Sequence, residues 1–146
     1  MADQNWPNLA AMFYEQVDAY GDRPFLWAKR EGAYKPLSWG DVAARVTPLA
    51  RGLLHSGIEP GDRVCWHGQN EPEFFEVLFA CARLGAILVP INWRCAPPEV
   101  QYVIDNVRPK LTMVDETLAP LAQRALSVPD TAGEIAGVLA PESGDD

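Results

Sequence analysis

The sequence has little of what marks a membrane, secreted or nucleic-acid-binding protein. No apolar run reaches the roughly 20 residues that a membrane-spanning helix needs, and the one at residues 86–91 is far too short. The first residues lack the basic and apolar regions of a secretion signal. The chain has 12 Lys and Arg against 20 Asp and Glu in 146 residues, and no basic run forms a stripe for nucleic acid. We therefore expect a cytoplasmic protein with no membrane span and no nucleic-acid partner.

Cysteine and histidine are too few for a metal site. Cys65, Cys81 and Cys95 match no zinc spacing, and His55 and His67 add no second pair of ligands. Cys65 and His67, two residues apart, would share one strand face and supply two ligands. A buried small residue beside a strand-end imidazole is the favoured interpretation, because two further ligands would still be missing. We predict no metal site.

Motifs for catalysis are also missing. The sequence contains neither G-x-G-x-x-G nor G-x-x-x-x-G-K-[ST], and no serine stands in a G-x-S-x-G setting. The turn at residues 67–70 has a single glycine, Gly68, for which a tight turn is favoured over phosphate binding. Carboxylates with a local turn or cap explanation are Asp22, Asp41, Asp62 and Glu73. We predict no catalytic residue in this chain.

What is present is a β-α-β pattern between residues 61 and 92. An apolar run at 63–67 is followed by Asn70, which with Glu73 would cap a helix that has Pro72 in its first turn. Gly85 would end this helix. The continuous apolar run at 86–91 is typical of a parallel strand covered on both faces.

The flanking patterns complete an α/β protein. We expect an N-terminal helix between Asn8 and Gly21, a β-hairpin, and then an open, mostly parallel sheet with helices on both faces, as a partial subdomain of a larger fold. Further segments are hairpin strands at 25–29 and 34–38, a helix from Ser38 to Gly57, a helix between Pro98 and Pro109, a strand at 111–115 and a helix at 117–126. Residues 1–126 form the predicted domain, and 127–146 a disordered acidic tail containing Pro and Gly.

Five segments carry a family resemblance when they are taken together. They are residues 37–42 (LSWGDV), 57–64 (GIEPGDRV), 70–74 (NEPEF), 84–94 (LGAILVPINWR) and 97–100 (PPEV). Their order and spacing resemble the N-terminal part of the adenylate-forming (AMP-binding) enzyme family, and most of all its acyl-CoA synthetases. The resemblance covers about residues 8–126.

The resemblance implies a two-step ligase reaction. A fatty or aromatic carboxylic acid reacts with ATP to give acyl-AMP and pyrophosphate, and coenzyme A then displaces AMP. ATP, Mg²⁺ and coenzyme A are thus implied for a full-length relative, and none for this chain alone.

The family's Ser/Thr/Gly-rich loop ending in Pro-Lys-Gly and its catalytic lysine do not occur in these 146 residues. We therefore expect the chain alone to be inactive, as a truncated or excerpted segment. The alternative is a non-catalytic, stand-alone module that binds a partner protein or an acyl or CoA ligand.

One residue role comes with the resemblance. In CoA-forming members the arginine of the N-x-R loop lies near the phosphates of coenzyme A, and the matching residue here is Arg94. A guanidinium group suits phosphate through charge-assisted contacts. The competing interpretation is a surface arginine that closes the loop against Asp105 or against the helix that starts at Pro98.

Because strands of the larger sheet would be missing, we also expect the isolated chain to self-associate.

Overall fold

The computed structural model describes residues 5–118, which form four α-helices and five strands. In chain order they are α1 (Leu9–Tyr20), β1 (Pro24–Arg30), β2 (Ala33–Ser38), α2 (Trp39–His55), β3 (Arg63–His67), α3 (Pro72–Leu84), β4 (Ile87–Ile91), α4 (Pro97–Val107) and β5 (Leu111–Val114). A short 3₁₀ turn at Glu116–Leu118 follows. The rest of the helix predicted at 117–126, the domain boundary at 126 and the tail lie outside the described residues.

The strands form two sheets, as the sequence predicts. β1 and β2 pair antiparallel as a hairpin. β3 lies between β4 and β5 and pairs parallel with both, so the order is β4-β3-β5. Val64 of β3 lies opposite Leu88 on one side and Leu111 on the other. The predicted α/β class, with a hairpin followed by an open parallel sheet, is confirmed.

Helices cover both faces of the parallel sheet, and the hydrophobic clusters on the two faces differ in size. The larger cluster, called the aromatic core here, packs α1, α2, α3 and the hairpin against one face. Its buried members are Phe13, Val42, Val46, Ala50, Leu53, Ile58, Val64, Trp66, Val77, Phe79, Ala80, Cys81, Leu111 and Met113. The smaller cluster, called the α4 cluster, lies on the opposite face and has Cys65, Ile91, Val100 and Ile104 as its buried members.

Local capping explains where most of the helices begin and end. The Asn8 side chain accepts a hydrogen bond from the amide of Ala11 at 2.8 Å and starts α1. Ser38 and Asp41 form the predicted reciprocal capping box at the start of α2. α3 ends at Gly85, whose φ of 72° lies in the left-handed region that glycine adopts without strain.

The predicted cap at Asn70 is wrong by one residue. The N-cap of α3 is Glu71, which makes no side-chain capping bond, and Pro72 occupies the first turn. The residue before a proline is driven to extended backbone, and Glu71 has φ −97° and ψ 167°. Proline therefore fixes the boundary, and Asn70 lies outside the helix.

The expectation that the run at 86–91 is covered on both faces is also wrong. β4 is an edge strand within the described residues: Ile87 is 50% exposed, Pro90 is exposed, and only Ile91 is buried. The central strand β3 has the burial that was expected for β4, since residues 64–67 are all buried. An apolar run marks a strand that suits a sheet interior, but burial depends on neighbours that this stretch does not specify.

Within residues 5–118, no helix combines the length and the apolar character needed to cross a membrane.

Candidate functional site

An open cleft of about 630 Å³ lies at the carboxyl ends of β3 and β4. In open α/β sheets this edge is where ligands bind. The cleft is lined by three groups of residues: the end of β3 with the following turn, the start of α3, and the end of β4 with its following loop. They are Trp66, Gly68, Asn70, Phe74, Pro90, Ile91, Asn92, Trp93 and Arg94.

Gly68 has a packing role in this cleft. Its φ is not in the left-handed region, so the turn itself does not require glycine. A Cβ at this position would lie 2.6 Å from Cζ2 of Trp66 and 3.0 Å from its Nε1. The interpretation of Gly68 as a tight-turn residue is therefore incomplete, because glycine here lets the backbone cross the Trp66 indole.

Two polar side chains at the end of β3 are buried without a partner. Trp66 is 4% exposed, and its Nε1 makes no hydrogen bond. His67 is 0% exposed, and neither ring nitrogen makes one. Burial lowers the pKa of His67, while the nearby Asp115 carboxylate acts in the opposite direction. The imidazole is therefore held in its neutral form.

The Cys65 and His67 pair is not assembled as a metal site. Burial raises the pKa of the Cys65 thiol to about 11, so it stays protonated at neutral pH. Across residues 5–118, no three His, Cys, Asp or Glu side chains are grouped so that they could hold a metal ion.

Arg94 lies at the rim of the cleft. Its guanidinium carbon is 4.8 Å from the centre of the Trp93 ring, a cation–π arrangement. Its amide donates a hydrogen bond to Oδ1 of Asn92 at 3.0 Å, which shapes the loop. In the described part of the chain no salt bridge joins Arg94 to Asp105, and Asp105 instead accepts a bond from Gln101. The guanidinium group is exposed and available to an anion.

The cleft is electrostatically one-sided. Among its nine lining residues Arg94 is the only charged one, and no carboxylate is present. The remaining polar groups are the carboxamides of Asn70 and Asn92 and the indole N–H groups. A lining with one cation, several donors and no acid suits a ligand that carries negative charge.

The carboxylates considered from the sequence serve structure elsewhere. Asp41 caps α2, and the hydrogen bonds from Ser38 lower its pKa. Asp62 binds Lys110 at 2.8 Å, and that bond lowers its pKa. Glu73 pairs with Arg30 of the hairpin at 3.1 Å. Asp22 is exposed on the turn before β1. None of the four lines the cleft.

Sequence reasoning found Arg94 but missed the aromatic walls formed by Trp66, Phe74 and Trp93. Trp66 and Phe74 look like core residues in the sequence, and both contribute to the aromatic core. A signal was nevertheless present: polar and aromatic residues follow β3 and β4 directly, at the edge where parallel strands end together.

These features define an open α/β protein with a cleft at the carboxyl edge of its sheet, in which Arg94 is the one charged residue of the described lining. A family profile described as AMP-binding enzyme matches residues 13–143. The chain belongs to this AMP-binding enzyme family, which confirms the resemblance.

Known proteins similar to this chain include CoA ligases. A feruloyl-CoA synthase from Amycolatopsis is 38% identical over 117 residues, covering 77% of this chain and 23% of that protein. A crotonobetaine/carnitine–CoA ligase from Citrobacter koseri is 33% identical over 125 residues, covering 85% of this chain and 24% of that protein. The chain therefore spans about a quarter of the length of these relatives.

Solved structures show the same fold. A fatty acyl CoA synthetase from Mycobacterium tuberculosis matches with a TM-score of 0.76 and 26% identity, over 88% of this chain and 25% of that one. A luciferase-like enzyme from the mealworm Zophobas morio matches with a TM-score of 0.82 over 98% of this chain and 33% of that one. At 22% identity the second likeness concerns the fold alone.

Proposed function

We propose that this chain is the N-terminal segment of an ATP-dependent, AMP-forming acyl-CoA synthetase. The reaction joins a carboxylic acid to coenzyme A in two steps, through an acyl-AMP intermediate and with release of pyrophosphate. The similarity to feruloyl-CoA and carnitine–CoA ligases supports a CoA-forming reaction. We assign the substrate class as a fatty or aromatic carboxylic acid, and a cytoplasmic location remains a prediction.

The observation that carries the proposal is the exposed Arg94, which forms no salt bridge within residues 5–118, at the rim of a cleft whose described lining has no carboxylate. Coenzyme A carries several phosphate charges, and a planar guanidinium group binds phosphate oxygens through two parallel N–H bonds. The residues present fit such a group, since Arg94 supplies charge and Asn70 and Asn92 supply amide donors. Arg94 would hold a phosphate of coenzyme A and so act in the second step of the reaction.

ATP and Mg²⁺ belong to the proposed reaction, but we assign them no residue within 5–118. Coenzyme A supplies the thiol that accepts the acyl group. The role derived for this chain is binding and orientation, because Arg94 would attract the anionic ligand and the aromatic walls would offer it an apolar surface.

The second candidate function is a stand-alone module that binds CoA, an acyl ligand or a partner protein without catalysis. The aromatic core favours it, because three helices, the hairpin and the sheet already pack into a buried cluster among the described residues. Both candidates predict that the 146-residue chain, incubated with ATP, Mg²⁺, coenzyme A and a panel of fatty and aromatic acids, releases no pyrophosphate above a blank. Turnover by the chain alone would contradict both.

The test that separates them is a chimaera in which residues 5–118 replace the matching segment of the Amycolatopsis feruloyl-CoA synthase. The synthetase proposal predicts an active chimaera, whereas a module specialised for another partner would leave it inactive. In an active chimaera, Arg94→Ala should raise the KM for coenzyme A by about tenfold or more, from the loss of a charge-assisted contact.

The Arg94→Ala chimaera should retain nearly unchanged pyrophosphate exchange, which reports the first half-reaction alone. Arg51→Ala, which removes an exposed arginine of α2 outside the cleft, is the matched control and should change neither value. An equal loss in both half-reactions after Arg94→Ala would mean that Arg94 is structural.

A further inference from the structure

The Trp66 indole is an unused hydrogen-bond donor in the wall of the cleft. The residue is 4% exposed, and Nε1 has no hydrogen-bond partner among residues 5–118. Buried indole N–H groups nearly always find an acceptor, because leaving one unpaired is costly. The proposed role of Arg94 does not use this donor. An unpaired buried donor next to a ligand cleft therefore calls for an acceptor from outside residues 5–118, and the cleft is where a ligand would supply it.

Gly68 lies directly against the indole that carries this donor. A Cβ there would lie 3.0 Å from Nε1 and 2.6 Å from Cζ2, so any side chain at 68 would push the indole aside. With glycine, this contact with a side chain at 68 is absent. A small outward shift of the turn at residues 68–70 would open Nε1 to the cleft, which Gly68 and Asn70 also line.

The charges around the cleft indicate what kind of acceptor fits. Its lining has one cation, Arg94, and no carboxylate. A negatively charged oxygen is thus favoured over a neutral carbonyl, because it gains both the attraction of Arg94 and a stronger hydrogen bond from the indole. Phe74 packs edge-on to Trp66, with 6.5 Å between ring centres, and limits how far the indole can rotate away.

We propose that Trp66 Nε1 donates a hydrogen bond to a phosphate oxygen of a ligand in this cleft, and that Gly68 is required because it lets this oxygen approach. Arg94 holds the anion from the rim, and Trp66 fixes one oxygen from the wall. The inference rests on the proposed function and adds a second, directional contact to it.

The test uses the 146-residue chain with ¹⁵N-labelled tryptophan. Each of the five tryptophans gives one indole N–H resonance, and Trp66→Phe identifies that of Trp66. Two fragments of coenzyme A serve as probes: adenosine 3′,5′-bisphosphate, which has phosphates, and pantetheine, which has amide carbonyls and no phosphate. We expect the bisphosphate to move the Trp66 resonance downfield, and pantetheine to leave it in place.

Binding affinities provide the second readout. Trp66→Phe keeps an aromatic ring and removes the N–H group, so bisphosphate binding should weaken about tenfold. Trp27→Phe is the matched control, since Trp27 is exposed on the hairpin and does not line this cleft, and it should bind like the wild type. Gly68→Ala should weaken binding at least as much and should move the Trp66 resonance even without ligand.

The outcomes separate this inference from the proposed function. If the bisphosphate binds and Arg94→Ala weakens it while Trp66→Phe and the Trp66 resonance show no effect, the inference is overturned and the function stands. A Trp66 shift with pantetheine alone overturns the assignment to phosphate. If the bisphosphate does not bind, or binds Arg94→Ala equally well, both proposals fail.

Discussion

The two faces of the parallel sheet are covered by hydrophobic clusters of different size. On one face, the aromatic core joins three helices and the hairpin, and its rings are in close contact: Phe13 stacks on Phe79 with ring centres 3.9 Å apart, and Phe25 stacks on Trp39 at 3.7 Å. On the other face, α4 contributes Val100 and Ile104 to a cluster that has four buried members within residues 5–118. Stability should therefore be concentrated on the aromatic side.

The cleft draws on both regions, because Trp66 and Phe74 of its wall belong to the aromatic core, whereas Arg94 lies on the loop after β4. The aromatic core uses the whole lengths of α2 and α3, whereas the α4 face lies beside the edge strand β4 and the loop that carries Arg94. A thin cluster constrains the adjoining loop less than a deep core does, and binding sites are commonly placed where local stability is low. In this chain the aromatic core stabilises the sheet, and the cleft opens at the carboxyl ends of β3 and β4.

The largest expected effect on stability is at the centre of the aromatic core. Phe13→Ala removes a ring that is 0% exposed and stacked on Phe79, which should lower the free energy of unfolding by about 3–5 kcal/mol. Denaturant unfolding followed by circular dichroism measures this value. A loss below about 1 kcal/mol would mean that the aromatic core does not carry the fold.

The matching change in the α4 cluster should lower the free energy of unfolding by less. Ile104→Ala removes a side chain that is 3% exposed, and we expect a loss of about 2 kcal/mol, at the low end for such a substitution, because the smaller cluster can relax around the gap. The same unfolding experiment compares the two variants. A cost equal to that of Phe13→Ala would abolish the distinction between the faces.

A smaller effect should appear as a dependence on pH at Glu76, which is 7% exposed on the aromatic side. Burial raises its pKa above the ordinary value of 4.5, and Glu73 adds to this, while Arg45 at 3.5 Å and Arg30 act in the opposite direction. The folded chain then holds this proton to higher pH than the unfolded chain. Stability from this group is present below about pH 4.5 and is lost as pH rises through the folded pKa.

Glu76→Gln should remove that dependence. We expect the variant to gain stability relative to the wild type as pH is raised from 4.5 to 7, measured by denaturant unfolding at several pH values. Asp18→Asn, at an exposed position of α1, is the control and should follow the wild type. Parallel curves for Glu76→Gln and the wild type would contradict the assigned cause.

Much of this fold follows from local sequence. The i, i+3, i+4 spacing and the caps at Asn8 and Ser38 placed α1 and α2, because these signals act within one or two turns of helix. The cap of α3 was misplaced because Pro72 overrode the polar side chain before it.

The candidate site was less predictable than the fold. Arg94 was identified only through the family resemblance. The role of Gly68 depends on an indole that lies across it, and the exposure of β4 depends on which strands pair with it, so neither can be read from neighbouring residues. Contacts between elements, and not propensities within them, decide both.

The contrast between the aromatic core and the open sheet edge is tested most directly by the state of the isolated chain in solution. Ile87 is 50% exposed on β4, and no strand among residues 5–118 pairs with the outer edge of β4. Such edges pair with other chains, and the net charge of −8 is screened beyond about 8 Å at physiological salt. Size-exclusion chromatography with light scattering should therefore give a mass above the 16.1 kDa of one chain.

Ile87→Lys, which places a charge on this edge, should lower the mass towards that of the monomer, and both proteins should unfold with the aromatic core as their main source of stability. The wild-type chain should bind the dye ANS, and the Ile87→Lys variant should bind less of it. A monodisperse 16.1 kDa wild type with a sharp unfolding transition and no ANS binding would contradict the account, because the segment would then be a self-sufficient domain.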